Sequence, residues 1–164
     1  MKNKFYIILH NIRSAQNVGS IFRTADACGI SKIYLSGYTP KPIDKFGREV
    51  GAIAKTALGA EKDIEWEYFP QPNKIIDKLK KEGVEIIAIE QNEKSVDYKK
   101  IHPPSASRRR RKGMAFIVGN EVKGVSKQLL AKCDKIAEIP MKGKKESLNV
   151  SVTTGIALFR ILNI

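Results

Sequence analysis

Residues 115–118, Ala115-Phe116-Ile117-Val118, form an apolar run with no polar interruption, and Gly119-Asn120-Glu121 ends it abruptly. A strand with one wet face alternates apolar and polar residues, so an unbroken run points to a central parallel strand covered by helices on both sides. Residues 84–89 have much the same character. Outward from these two, β-rich runs at 5–9, 33–35, 65–69 and 135–139 are interleaved with helical patterns at 18–28, 49–58, 72–83, 126–133 and 147–162. Val18, Ile21, Phe22 and Ala25 share one helical face, Asn17 precedes them with the side chain of an N-cap, and Gly29 stops the helix. Strands and helices in this alternation predict an α/β fold, a parallel sheet flanked by helices.

The 164 residues, 42% of them hydrophobic, suffice for one core and are few for two. No apolar run approaches the roughly 20 residues of a membrane span, and the opening segment lacks a cleavable-signal pattern, so a cytoplasmic protein is expected. The only cysteines are Cys28 and Cys133, without a Cys-x-x-Cys spacing, which excludes a disulfide framework and predicts no metal site.

Charge discriminates further. Thirty basic and 17 acidic residues give +13, and residues 98–164 alone carry 15 basic and 4 acidic groups. A basic field of this size concentrates polyanions through phosphate contacts, which makes nucleic acid the expected partner class. The usual nucleotide signatures are missing. No Gly-x-Gly-x-x-Gly follows a strand, and Lys142-Gly-Lys-Lys-Glu-Ser147 lacks the glycine spacing of a P-loop.

Polar residues instead collect in three segments at strand or helix boundaries, where an open α/β sheet has its ligand crevice. They are Asn11-Ile-Arg-Ser-Ala-Gln-Asn-Val-Gly-Ser-Ile-Phe-Arg23-Thr-Ala-Asp-Ala-Cys-Gly29, Phe116-Ile-Val-Gly-Asn-Glu-Val-Lys-Gly-Val-Ser126 and Ile139-Pro-Met-Lys-Gly-Lys-Lys-Glu-Ser-Leu-Asn-Val-Ser151. Together they resemble the SpoU/TrmH family, the branch of the SPOUT superfamily that transfers methyl groups from S-adenosylmethionine to ribose 2′-hydroxyls of RNA. The resemblance covers nearly the whole chain, with the motifs in the family's order.

The resemblance implies a single SPOUT methyltransferase domain over residues 1–164, without a separate RNA-recognition domain, whose C-terminal part threads a deep trefoil knot. It further implies a homodimer with sites at the interface, S-adenosylmethionine as cofactor and tRNA or rRNA as substrate. By position, Arg23 matches the family's catalytic arginine, Asn17 a residue that positions it, Glu121 the glutamate that organises the knot, and Ser147 and Asn149 the polar start of the last helix. Ile89, Gly119, Ile139 and Leu148 match the positions that surround the cofactor. Arg13 and the run Arg108, Arg109, Arg110 and Arg111 are candidate RNA contacts, the run being a departure from the family's usual pattern. Two other readings stay open: an RNA-binding protein that keeps the fold without catalysis, and a SPOUT enzyme that methylates a base.

Overall fold

A computed structural model describes residues 4–104 and 112–164. Its centre is the strand Gly113–Val118, hydrogen-bonded in parallel to Lys4–His10 on one side and Val84–Ile89 on the other. In chain order the described strands are β1 (Lys4–His10), β2 (Lys32–Ser36), β3 (Trp66–Phe69), β4 (Val84–Ile89), β5 (Val96–Asp97), β6 (Gly113–Val118) and β7 (Lys135–Glu138). Among the described residues they form one seven-stranded sheet in the order β3-β2-β1-β6-β4-β7-β5, and every pairing is parallel. The helices are α1 (Ala15–Ala27), α2 (Gly51–Ala57), α3 (Ala60–Asp63), α4 (Pro72–Lys81), α5 (Lys127–Lys132) and α6 (Val150–Leu162).

The apolar runs dictate the layers. Successive side chains of a strand point to opposite faces, so a run that is apolar throughout needs cover on both. Met114, Phe116 and Val118 of β6 join one core with Val18, Ile21 and Phe22 of α1 and Leu158 of α6. Ala115 and Ile117 join the other with Ile75 and Leu79 of α4 and Leu129 of α5. The expected α/β sandwich is thus observed. No described helix is long and apolar enough to cross a membrane.

Two expected helix starts move. Helix α1 begins at Ala15, and its N-cap is Ser14, whose side chain accepts from the Asn17 N–H. Asn17 is therefore not the cap, because the first turn is polar and the apolar periodicity starts only a turn later. Helix α6 begins at Val150 rather than at 147, capped by Asn149, whose Oδ1 accepts from the Ser151 N–H at 2.8 Å. Ser147 lies in the preceding loop. The two-residue β5 and the one-turn α3 are too short to leave a pattern and were not expected.

Candidate functional site

The ends of β6, β4 and β7, three neighbours in the sheet, open into a cleft of about 230 Å³. All three are carboxyl ends, the usual crevice of an open parallel sheet. Ile89, Gly119, Ile139 and Leu148, the expected cofactor positions, all line it, as do Glu121, Ser147 and Asn149. So the second and third polar segments meet here although 12 residues separate them in sequence.

The first segment is tied in by hydrogen bonds. Glu121 accepts from the backbone N–H groups of Arg13 at 2.9 Å and Ser14 at 3.1 Å, and from Asn17 Nδ2 at 3.1 Å. These backbone N–H groups belong to the N-cap Ser14 and the residue before it, so the carboxylate sits at the positive end of α1. Burial opposes the charge on Glu121, but the Arg13, Ser14 and Glu121 N–H groups and the Asn17 amide outweigh it and hold the carboxyl below its ordinary range. Asn17 Oδ1 in turn accepts from Asn149 Nδ2 at 3.2 Å. Glu121, Asn17 and Asn149 therefore form one continuous chain linking all three segments.

Gly119 is there because nothing larger fits. A Cβ at this position would run into the backbone of Gly124 and lie 2.7 Å from the Val125 nitrogen. The tight 119–124 turn is closed by Asn120, whose Oδ1 accepts from the N–H groups of Val122 and Lys123 while its Nδ2 donates to the Asn11 carbonyl and the Tyr38 hydroxyl. Glu90 completes it from β4, accepting from the Val125 N–H at 2.9 Å.

Arg23 is placed differently. It lies on the exposed side of α1, does not line the cleft, and its side chain makes no hydrogen bond or ion pair among the described residues. Arg13 is also exposed, engaged through its backbone alone. Arg108, Arg109, Arg110 and Arg111 lie outside the described residues. Sequence reasoning missed Asn120, Glu90 and Glu138, all on the cleft wall. Asn120 and Glu90 each directly follow a strand or its terminal glycine, a position that could have flagged them.

The chain matches the SpoU rRNA Methylase family over residues 4–159 and belongs to that family. It is 32% identical over 160 residues to an uncharacterized tRNA/rRNA methyltransferase of Borreliella burgdorferi, covering 98% of this chain and 64% of that one. It is 30% identical to the tRNA (guanosine(18)-2′-O)-methyltransferase of Aquifex aeolicus, covering 93% and 66%. The AdoMet-bound rRNA methyltransferase of Sinorhizobium meliloti superposes with a TM-score of 0.82 at 29% identity, covering 98% of this chain and 56% of that one. The chain thus spans roughly three fifths of the length of these relatives.

Proposed function

We propose that this protein methylates a ribose 2′-hydroxyl of tRNA or rRNA, using S-adenosylmethionine, as a cytoplasmic homodimer. The observation that carries this reading is the convergence of the three polar segments on one cleft through Glu121, Asn17 and Asn149. The cleft suits the cofactor chemically. Ile89, Ile139 and Leu148 offer apolar surface for a purine, and Glu90 and Glu138 offer carboxylates toward cationic groups. Bound there, S-adenosylmethionine supplies an electrophilic sulfonium methyl group. The trefoil knot implied by the resemblance is part of the same reading.

A ribose hydroxyl is a very weak acid and must lose its proton as its oxygen attacks. Arg23 assists this step without taking the proton itself. A guanidinium donates hydrogen bonds and accepts none, so its part is to hold the target phosphate or the developing alkoxide while a phosphate oxygen receives the proton. Asn17 has its carbonyl oxygen and one amide hydrogen engaged by Asn149 and Glu121, which makes it a positioning residue for α1. Because Arg23 does not line the cleft of its own chain, the reading places it at the cleft of a second copy. Val152, Ile156 and Phe159, an exposed apolar stripe on α6, support such a pairing.

The test is incubation of RNA from cells lacking the protein with the purified chain and isotopically labelled S-adenosylmethionine, followed by nucleoside mass spectrometry. A labelled 2′-O-methylnucleoside is expected. Label on a base would move the chemistry off ribose, and absence of both label and cofactor binding would overturn the reading.

A further inference from the structure

The loop from β2 to α2, residues 37–50, holds a feature that the cleft does not use. Asp44 organises its tip: Oδ1 accepts from the N–H groups of Phe46 at 2.8 Å and Arg48 at 2.9 Å, and Oδ2 from Arg48 Nε at 2.9 Å. The Asp44 N–H donates to the Arg48 carbonyl at 2.8 Å, and Gly47 closes the turn at φ +78°. The tip is therefore pinned, yet it leaves Phe46 68% exposed. Lys45 Nζ and Arg48 Cζ each stand 4.9 Å from the ring centroid.

An ordered turn that holds an aromatic ring out in water has built a platform. Bases stack on such rings whatever their sequence, and Lys45, which stands over the ring on a flexible stem, swings to a flanking phosphate as the base takes its place. The loop also has a fixed relation to the cleft. At its root Tyr38 donates its backbone N–H to Asn11 Oδ1 at 3.2 Å, and its hydroxyl accepts from Asn120 Nδ2 at 2.9 Å. Asn120 is on the cleft wall. The root of the loop and the cleft wall are thus joined by the Tyr38 side chain.

We propose that Phe46, flanked by Lys45 and Arg48, is a stacking subsite for an unpaired base of the RNA, so that the substrate is a loop or single strand rather than a continuous duplex. The inference rests on the proposed function and narrows its substrate. A paired base within a helix has no free face to offer a side chain, whereas an unstacked loop base does.

The experiment uses the full chain and two RNA probes, single-stranded oligoadenylate and a fully paired duplex. Phe46→Ala is expected to weaken oligoadenylate binding about tenfold, the scale of losing one base stack. Duplex affinity and S-adenosylmethionine affinity stay unchanged, since phosphate contacts and the cleft are intact. Phe46→Trp should restore oligoadenylate binding, and its added indole emission should quench on binding, measured against the wild type in which Trp66 is the sole tryptophan. Equal oligoadenylate affinity in wild type and Phe46→Ala, or equal losses on both probes, would overturn the subsite and leave the methyltransferase reading standing. A wild-type chain that binds neither probe would overturn both.

Discussion

Asn17 Nδ2 donates to Glu121 Oε1 at 3.1 Å across 104 positions of sequence, and this bond fastens the first turn of α1 to the turn after the central strand. The same carboxylate takes the backbone N–H groups of Arg13 and Ser14, just ahead of α1, so one side chain satisfies three donors that lie far from it in the chain. Its partner Asn17 passes the connection on to Asn149.

Glu121→Gln keeps the shape but removes the charge and turns one acceptor into a donor facing donors. A loss of about 1 kcal/mol of stability is expected, the net scale of a hydrogen bond at a half-buried site. Urea denaturation measures it, and an unchanged midpoint would show that the Glu121 bonds carry no net stability. The same carboxyl titrates below the usual range in the folded chain, so its stabilisation is present above its ordinary value of 4.5 and lost as the pH falls through the folded value.

Gly119→Ala should fail at the cleft itself. The added methyl meets backbone atoms of Gly124 and Val125, which cannot swing aside as a side chain would. Overpacking of this kind costs about 1–3 kcal/mol, and relief of the clash would shift the 119–124 turn that forms the cleft wall. Calorimetry with S-adenosylmethionine is expected to show weakened binding together with a lowered melting temperature.

Arg23→Ala, in contrast, removes an exposed side chain without a described partner, so melting temperature and cofactor affinity should stay at wild-type values while methyl transfer is lost. Mixing this variant with Gly119→Ala separates two arrangements. If Arg23 acts at the cleft of a second copy, the Gly119→Ala copy of a mixed dimer supplies its arginine to the intact cleft of the Arg23→Ala copy. Partial recovery of methyl transfer is expected; none at all, with mixed dimers confirmed by mass, would put Arg23 at the cleft of its own chain.

His10 supplies a pH dependence. Its Nε2 accepts from Asn11 Nδ2 at 3.0 Å and its Nδ1 contacts the Ser36 hydroxyl at 2.9 Å, a neutral-ring arrangement. Burial holds its pKa below the ordinary 6.5. The unfolded chain therefore takes up the proton first as pH falls, so stability from the neutral ring is complete above pH 6.5 and declines below it toward the folded value. Titration of the ring by NMR checks the direction, and His10→Gln should flatten the stability profile over that window.

The sheet was legible because its strands are buried on both faces. Runs such as 84–89 and 115–118 have no solvent side to break their pattern, and their order along the chain gave the α/β class. Element starts were harder wherever a helix end faces the cleft. Ser14, Ala15 and Gln16 carry no apolar stripe, so periodicity placed the start of α1 a turn late and gave the cap to Asn17. The same happened in reverse at α6, where Ser147 and Leu148 extend the pattern but belong to the cleft loop. Ile89, Gly119, Ile139 and Leu148 were found through resemblance and lie together on one wall. Asn120 and Glu90 went unnoticed because their work is done on backbone N–H groups a few residues away in space, and a carboxamide or carboxylate after a strand looks the same in sequence whether or not it closes a turn.

The three linked side chains at positions 17, 121 and 149 bear on the order in which the molecule comes into being. During synthesis Asn149 emerges 132 residues after its partner Asn17, and contacts of such long sequence separation form slowly. The cleft is therefore among the last features to assemble. A ligand that needs the whole wall binds only the finished fold, so its free energy is added to that state alone, and half-assembled chains receive no such support.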